Sequence, residues 1–145
     1  MAMRVQARAL VAGEASGVLL KLHAPLSFWG GVDAATGEIV DRQSDGYGKS
    51  IAGCVLALAA LRGSSSSSAV LLELVHVKKA PAAIIIAEAD AILIAGVLAA
   101  REMGWRYPPL LQLSAGEQAM LPEGTIDVHN DGTLNYQPSR FATTP

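Results

Sequence analysis

The sequence predicts an α/β domain with a mixed sheet and few helices. Three observations carry that reading. Short apolar runs recur along the chain, at Val18–Leu20, Cys54–Leu58, Ala83–Ile86 and Leu110–Leu113, each of a length that suits a buried strand. Between two of them, Val70, Leu71, Leu74 and Val75 are spaced as one face of a helix. Near the carboxyl-terminal end, two alternating runs flank an Asp-Gly pair, the pattern of an antiparallel hairpin.

The elements follow in chain order. Arg4–Val11 alternates with period two and predicts a first strand; Gly13 and Gly17 punctuate the way to the strand at Val18–Leu20. Pro25–Gly31 and a turn at Thr36-Gly37 lead to a short strand at Glu38–Asp41, and the glycine-rich, polar stretch 41–50 reads as a loop. After the strand at Cys54–Leu58 comes Arg62-Gly63 with five serines, Ser64 to Ser68, and then the helix. Lys78 and Lys79 close that helix against the negative end of its dipole, and Pro81 stops it. Ala83–Ile86 predicts a central strand and Ala91–Ile94 another, with a short helix over Gly96–Met103 that ends near Gly104. Leu110–Leu113 is a strand; Thr125–His129 and Thr133–Tyr136 form the hairpin across Asn130-Asp131-Gly132. The stretch from Gln137 to Pro145 reads as a poorly ordered tail on a single domain covering 1–145.

Composition narrows the function classes. Of 145 residues, 51% are hydrophobic and 17% charged, with a net charge of −2. No basic excess exists to neutralise phosphates, so nucleic acid is not an expected partner. So apolar a chain with so few charges suggests that another subunit covers part of its surface. The lone cysteine, Cys54, excludes an internal disulfide and any zinc site built on paired cysteines, and fits a reducing cytosol. Met1–Leu10 has no apolar core of a signal peptide, and the longest uninterrupted apolar piece, Ala91–Ala100, is about half the roughly 20 residues of a membrane helix. The expectation is a soluble cytoplasmic domain with no membrane partner.

Two segments carry candidate chemistry. Arg62-Gly63-Ser64-Ser65-Ser66-Ser67-Ser68 can be a flexible serine linker. Its setting, a buried strand before it and an amphipathic helix after it, also makes it a turn whose free backbone N–H groups hold a carboxylate or phosphate. It is neither a Walker loop nor a nucleophile elbow. Ser27-Phe28-Trp29-Gly30-Gly31-Val32-Asp33 is either a packed turn or a loop lining a ligand pocket. Lys49, in Gly46–Ser50, reads as a solvated loop lysine that could meet an anion. His23, His76 and His129 read as surface or core histidines before they read as partners of a serine nucleophile. No group of His, Cys, Asp and Glu has metal-ligand spacing, and Cys54 reads as a packing residue.

Ser27–Asp33 with Thr36-Gly37, then Arg62–Ser66, Ala80–Ala83 and Asp90–Leu93, resemble in kind and order the small, swivel-domain subunit of aconitase X. The resemblance runs over most of residues 8–115. It implies an aconitase-like swivelling β/β/α domain, separate from a large subunit that carries an iron–sulfur cluster or iron, with none bound by this chain alone. Two activities are known in that family: dehydration of cis-3-hydroxy-L-proline to Δ1-pyrroline-2-carboxylate, and dehydration of mevalonate 5-phosphate. The Ser-Phe-Trp-Gly-Gly form and the serine run are more similar to the hydroxyproline type. Two departures stand out: Gln43-Ser44 where the resemblance leads one to expect His-Pro, and Ala59 where it leads one to expect proline.

Carried over, the Gly-Ser-Ser turn of the superfamily falls on Gly63, Ser64 and Ser65, which implies a catalytic base at Ser64 or Ser65. The arginine that follows the two serines in aconitase is replaced by Ser66, so Arg62 or the partner must supply the positive charge. The resemblance also implies substrate-binding roles for Ser27, Phe28, Trp29, Gly30, Gly31, Arg62, Gly63 and Ser66, a small hydroxy acid as substrate, and no metal ligands in this chain. A stand-alone anion-binding domain and a purely structural subunit are the competing readings.

Overall fold

The computed structural model describes residues 3–137. Among them, one mixed sheet contains β1 (Arg4–Gln6), β2 (Arg8–Val11), β3 (Ala15–Leu22), β4 (Val55–Leu58), β5 (Ala83–Ile86), β6 (Leu110–Gln112), β7 (Thr125–Val128) and β8 (Thr133–Tyr136). The helical segments are α1 (Phe28–Gly31), α2 (Ser67–His76), α3 (Ala91–Glu102) and α4 (Ala115–Ala119). The strand order is β1-β8-β7-β3-β4-β5-β6-β2. The pairs β3–β4, β4–β5 and β5–β6 are parallel; every other pair is antiparallel.

The order has a physical consequence. β1 and β2 are separated in sequence by Ala7 alone, yet they occupy opposite ends of the sheet. The sheet therefore curls until its ends meet at Ala7, whose N–H donates to the Gly132 carbonyl at 3.0 Å. Curling creates an inside and an outside, and the two-residue period of the strands fills both. Val55, Ala57, Ala83, Ile85 and Leu111 face inward, where they pack with Ile126, Val128 and Leu134 of the antiparallel half. Leu56, Leu58, Ile84, Ile86 and Leu110 face outward, against Leu71, Leu74, Leu93 and Val97 of α2 and α3. All residues of β4 and β5 are buried, which is why these strands read as unbroken apolar runs. The layers are sheet, sheet and helices, the swivelling β/β/α arrangement.

Several boundaries differ from expectation. Ala91–Ile94 is not a strand but the first turn of α3, and the predicted Gly96–Met103 helix is the rest of the same element. Asp90 starts it as N-cap, its carboxylate accepting the Leu93 N–H at 2.8 Å. Leu93, Gly96, Val97 and Ala100 form its buried face. Glu38–Asp41 is not a strand either: Ile39 and Glu38 make isolated bridges to Val32 and Ser50. The Arg4–Val11 strand is broken at Ala7, where the sheet closes. α2 stops at His76, before the two lysines. The predicted hairpin is present as β7 and β8. Of the expected tail, Gln137 is bonded to Ser16, Asp127 and Thr125, and 138–145 lie outside the described residues.

Candidate functional site

β3 to β6 run parallel, so the chain leaves all four at one edge of the sheet, the edge where open α/β sheets collect ligand-binding loops. The two candidate segments leave from adjacent strands, β3 and β4. Their backbones stay paired past the strand ends: Ala59 N–H donates to Leu22 O (3.1 Å), Leu26 N–H to Ala60 O (3.2 Å) and Arg62 N–H to Leu26 O (2.9 Å). Ser27 thus directly follows Leu26 of that ladder, and Arg62 is its last donor. Ala59 contributes an N–H that proline would lack.

In the first turn, Phe28 is wholly buried and anchors it in the helix-side core, with Gly31 also buried. The Phe28 ring has no surface left to offer a substrate. Trp29 is 61% exposed, the consequence of an abrupt turn at Gly30 (φ 79°). Ser27 is half-buried and its side chain makes no capping bond.

In the second turn, Ser64 lies two residues before Ser66, the N-cap of α2. Its Oγ accepts the Ser66 N–H at 3.2 Å, and its carbonyl accepts the Ser67 N–H at 3.1 Å. The Ser64 oxygen is therefore held half-buried beside the positive end of a ten-residue helix. Ser65, Arg62 and Gly63 are exposed, and Ser66 is half-buried. Ser67 is buried, and its Oγ has no hydrogen-bond partner among the described residues. α3 supports this turn from the side. Asp90 Oδ2 would be 3.4 Å from a Cβ at Gly63, and the Ser68 Cα would be 3.0 Å from a Cβ at Gly96.

A cleft of about 500 Å³ opens next to the serine turn, lined by residues 59–61, 87–90 and 114–115. α4 closes its floor: the buried Gln118 donates through Nε2 to Leu58 O (3.1 Å) and Leu113 O (2.9 Å), at the exits of β4 and β6. Two residues near this edge received no site role from the sequence reading, although Asp90 belongs to a segment that carries the resemblance. Gln118 carries no sequence signal. Asp90 carries one, an Asp directly before an apolar helical face and after a strand, the N-cap pattern.

The 41–50 loop is fastened to the same edge. The Asp45 carboxylate accepts the N–H groups of His23 (2.8 Å) and Ala24 (3.1 Å). Partial burial pushes its pKa up, but those N–H donors and the nearby His23 outweigh burial and hold it below the ordinary carboxylate value. Gln43, Tyr47 and Lys49 are exposed on this loop, and Ser44 is buried.

The other ionisable candidates lie elsewhere. His129 pairs with Glu14 (3.7 Å) and Asn135 (2.9 Å), beyond the start of β3 and so at the opposite edge. His76 ends α2, its ring 5.3 Å from that of Trp105. Neither reaches the serines. Cys54 precedes β4, also at the far edge, and burial raises its thiol pKa. Among the described residues no group of three or more His, Cys, Asp or Glu is placed to hold a metal ion. The donor set of this chain does not fit an iron–sulfur cluster.

Comparison with known proteins bears on the fold and the family. A family model described as the aconitase X swivel domain matches residues 4–135. A cis-3-hydroxy-L-proline dehydratase of Pseudomonas aeruginosa is 42% identical over 94% of this chain, which spans 25% of that relative's length. A phosphomevalonate dehydratase small subunit of Thermococcus gammatolerans is 44% identical, covering 87% of this chain and 98% of its own. The solved holo-form of aconitase X from Thermococcus kodakaraensis superposes with a TM-score of 0.82 at 32% identity, over 94% of this chain and 99% of that one. Motif order, layer order and these matches converge: the chain belongs to the aconitase X swivel-domain family.

Proposed function

We propose that this chain is the small subunit of a hydro-lyase, active only with a large aconitase X subunit, that dehydrates cis-3-hydroxy-L-proline to Δ1-pyrroline-2-carboxylate. The observation that carries the reading is the backbone ladder Leu22–Ala59, Ala60–Leu26 and Leu26–Arg62, which holds the Trp29 turn and the Ser64 turn side by side. The 42% relative is named for that reaction. Mevalonate 5-phosphate is the second candidate substrate, favoured by the small subunit that this chain matches over 98% of its length.

The proton to be removed lies at C2, beside the substrate carboxylate, and needs a positioned base. A serine hydroxyl is a weak base, and its alkoxide needs donors. Ser64 Oγ already accepts one N–H, from Ser66, at the positive end of α2. Ser64 is the base in this reading, with Ser65 the neighbouring alternative. Arg62, the Gly63 N–H and the Ser66 hydroxyl bind the carboxylate, and Ser27, Trp29 and Gly30 form the facing wall. The iron–sulfur cluster or iron belongs to the partner.

The test is co-expression with a large aconitase X subunit, followed by gel filtration and assays on both substrates. Ser64→Ala is expected to lower turnover by about 100-fold or more while the complex still assembles. Full activity in both Ser64→Ala and Ser65→Ala would remove the serine base. Turnover of mevalonate 5-phosphate alone would replace the substrate.

A further inference from the structure

Arg62 precedes Gly63 and Asp90 lies against it, one a cation and the other an anion, and they are not paired with each other: among the described residues no Lys or Arg nitrogen lies within 4 Å of an Asp or Glu carboxylate oxygen. Only half of the Asp90 carboxylate is engaged. Oδ1 caps α3 by accepting the Leu93 N–H at 2.8 Å; Oδ2 takes no hydrogen bond among the described residues and lies 3.4 Å from where Gly63 would carry a Cβ. Asp90 also lines the 500 Å³ cleft beside the serine turn. A Cβ at Gly63 would be in ordinary van der Waals contact with Oδ2, so that oxygen lies close beside the serine turn.

Asp90 is half-buried, and its Oδ2 is open to solvent beside the proposed reaction site, where a substrate cation can replace water on it. The two candidate substrates differ in this respect. cis-3-Hydroxy-L-proline is a zwitterion with a ring ammonium one bond from C2, the carbon that loses its proton. Mevalonate 5-phosphate has no ammonium, and its phosphate would meet Asp90 as a like charge. We propose that Asp90 is a specificity-determining residue whose free carboxylate oxygen receives the substrate's ring ammonium while Arg62 receives its carboxylate, so that the site selects a cyclic amino acid over a phosphorylated hydroxy acid. This rests on the hydro-lyase reading above and narrows its substrate class.

Asp90→Asn tests it, because asparagine keeps the N-cap and removes only the charge. In the assembled complex, KM for cis-3-hydroxy-L-proline is expected to rise about tenfold or more, the cost of losing a hydrogen bond between charged groups, with the melting temperature unchanged. The inhibition constant of cis-2-hydroxycyclopentane-1-carboxylate, the carbocyclic analogue without the nitrogen, is expected to stay the same in wild type and Asp90→Asn. A purely structural Asp90 would shift both ligands together or neither. Wild-type turnover of the hydroxyproline with KM unchanged in Asp90→Asn overturns the role of Asp90 alone. A wild-type complex that ignores the hydroxyproline overturns the parent reading and the ammonium site with it.

Discussion

Replacing Gly132 by alanine strikes the point where the sheet closes. Gly132 sits at φ 86°, and its carbonyl accepts the Ala7 N–H at 3.0 Å. An alanine there meets two costs. Left-handed backbone costs an L-residue about 1–2 kcal/mol. The new Cβ would also overlap the Ala7 carbonyl oxygen, with the Ala7 carbonyl carbon at 3.1 Å and the Ala9 nitrogen at 3.2 Å. These are backbone atoms of the β1–β2 junction and cannot rotate away, so an overpacking cost of about 1–3 kcal/mol adds. The sum is about 2–5 kcal/mol, a large share of the roughly 5–15 kcal/mol that holds a domain folded. Gly30→Ala separates the two costs. Gly30 has φ 79°, yet nothing lies within 4 Å of its Cβ position, so only the dihedral cost of about 1–2 kcal/mol applies. Urea unfolding of the purified chain, with thermal melts in parallel, measures both. Gly132→Ala is expected to lose about 5–15 °C in Tm and Gly30→Ala less than half of that. Equal losses would refute the closure of the sheet at Ala7 as described.

Three further outcomes follow from the buried and loop contacts. Gln118→Ala leaves the buried carbonyls of Leu58 and Leu113 without their donor, and is expected to cost about 2–4 kcal/mol in urea unfolding; a loss below about 1 kcal/mol would mean that water replaces the amide. Ser67→Ala removes a buried hydroxyl that has no partner, so the free chain is expected to be as stable as wild type or more so, by up to about 1 kcal/mol; a marked drop in Tm would contradict its unpartnered state. Asp45 has a lowered pKa in the folded chain, so its contribution is complete above the ordinary carboxylate value and is lost as pH falls through the lowered one. Melts between about pH 6 and pH 2 are expected to show a smaller acid-induced drop for Asp45→Asn than for wild type, and parallel curves would sink this assignment.

The sequence made the central layer legible because burial on both faces removes alternation: β4 and β5 are apolar at every position. The hairpin was legible because Asp131-Gly132 leaves few backbone options between alternating runs. α3 was misread where Ile92 and Ile94 lend a strand-like look to its first turn; the Asp90 cap overrides that local preference. Closure was hidden because it depends on a pairing between β1 and β8, some 130 residues apart, that no window of sequence contains. At the candidate site, glycine and serine patterns marked the two turns, whereas Asp90 and Gln118 reach the same edge from α3 and α4, which only tertiary structure brings there.

The closed sheet also says how such a domain can be joined to others. Arg4 pairs with Asn135, so the first and last described strands lie side by side and the described residues begin and end at one spot. Tethering a larger polypeptide at that spot leaves the four parallel strands and their loops untouched. The Pseudomonas relative, in which a segment like this chain makes up a quarter of one polypeptide, and the archaeal small subunit, which is little more than the segment itself, use the same unit spliced and free. A permuted chain, with residues 3 and 137 bridged by a short glycine linker and new ends opened at Lys49, is expected to keep the fold and its two turns, because covalent order around such a loop of strands is interchangeable.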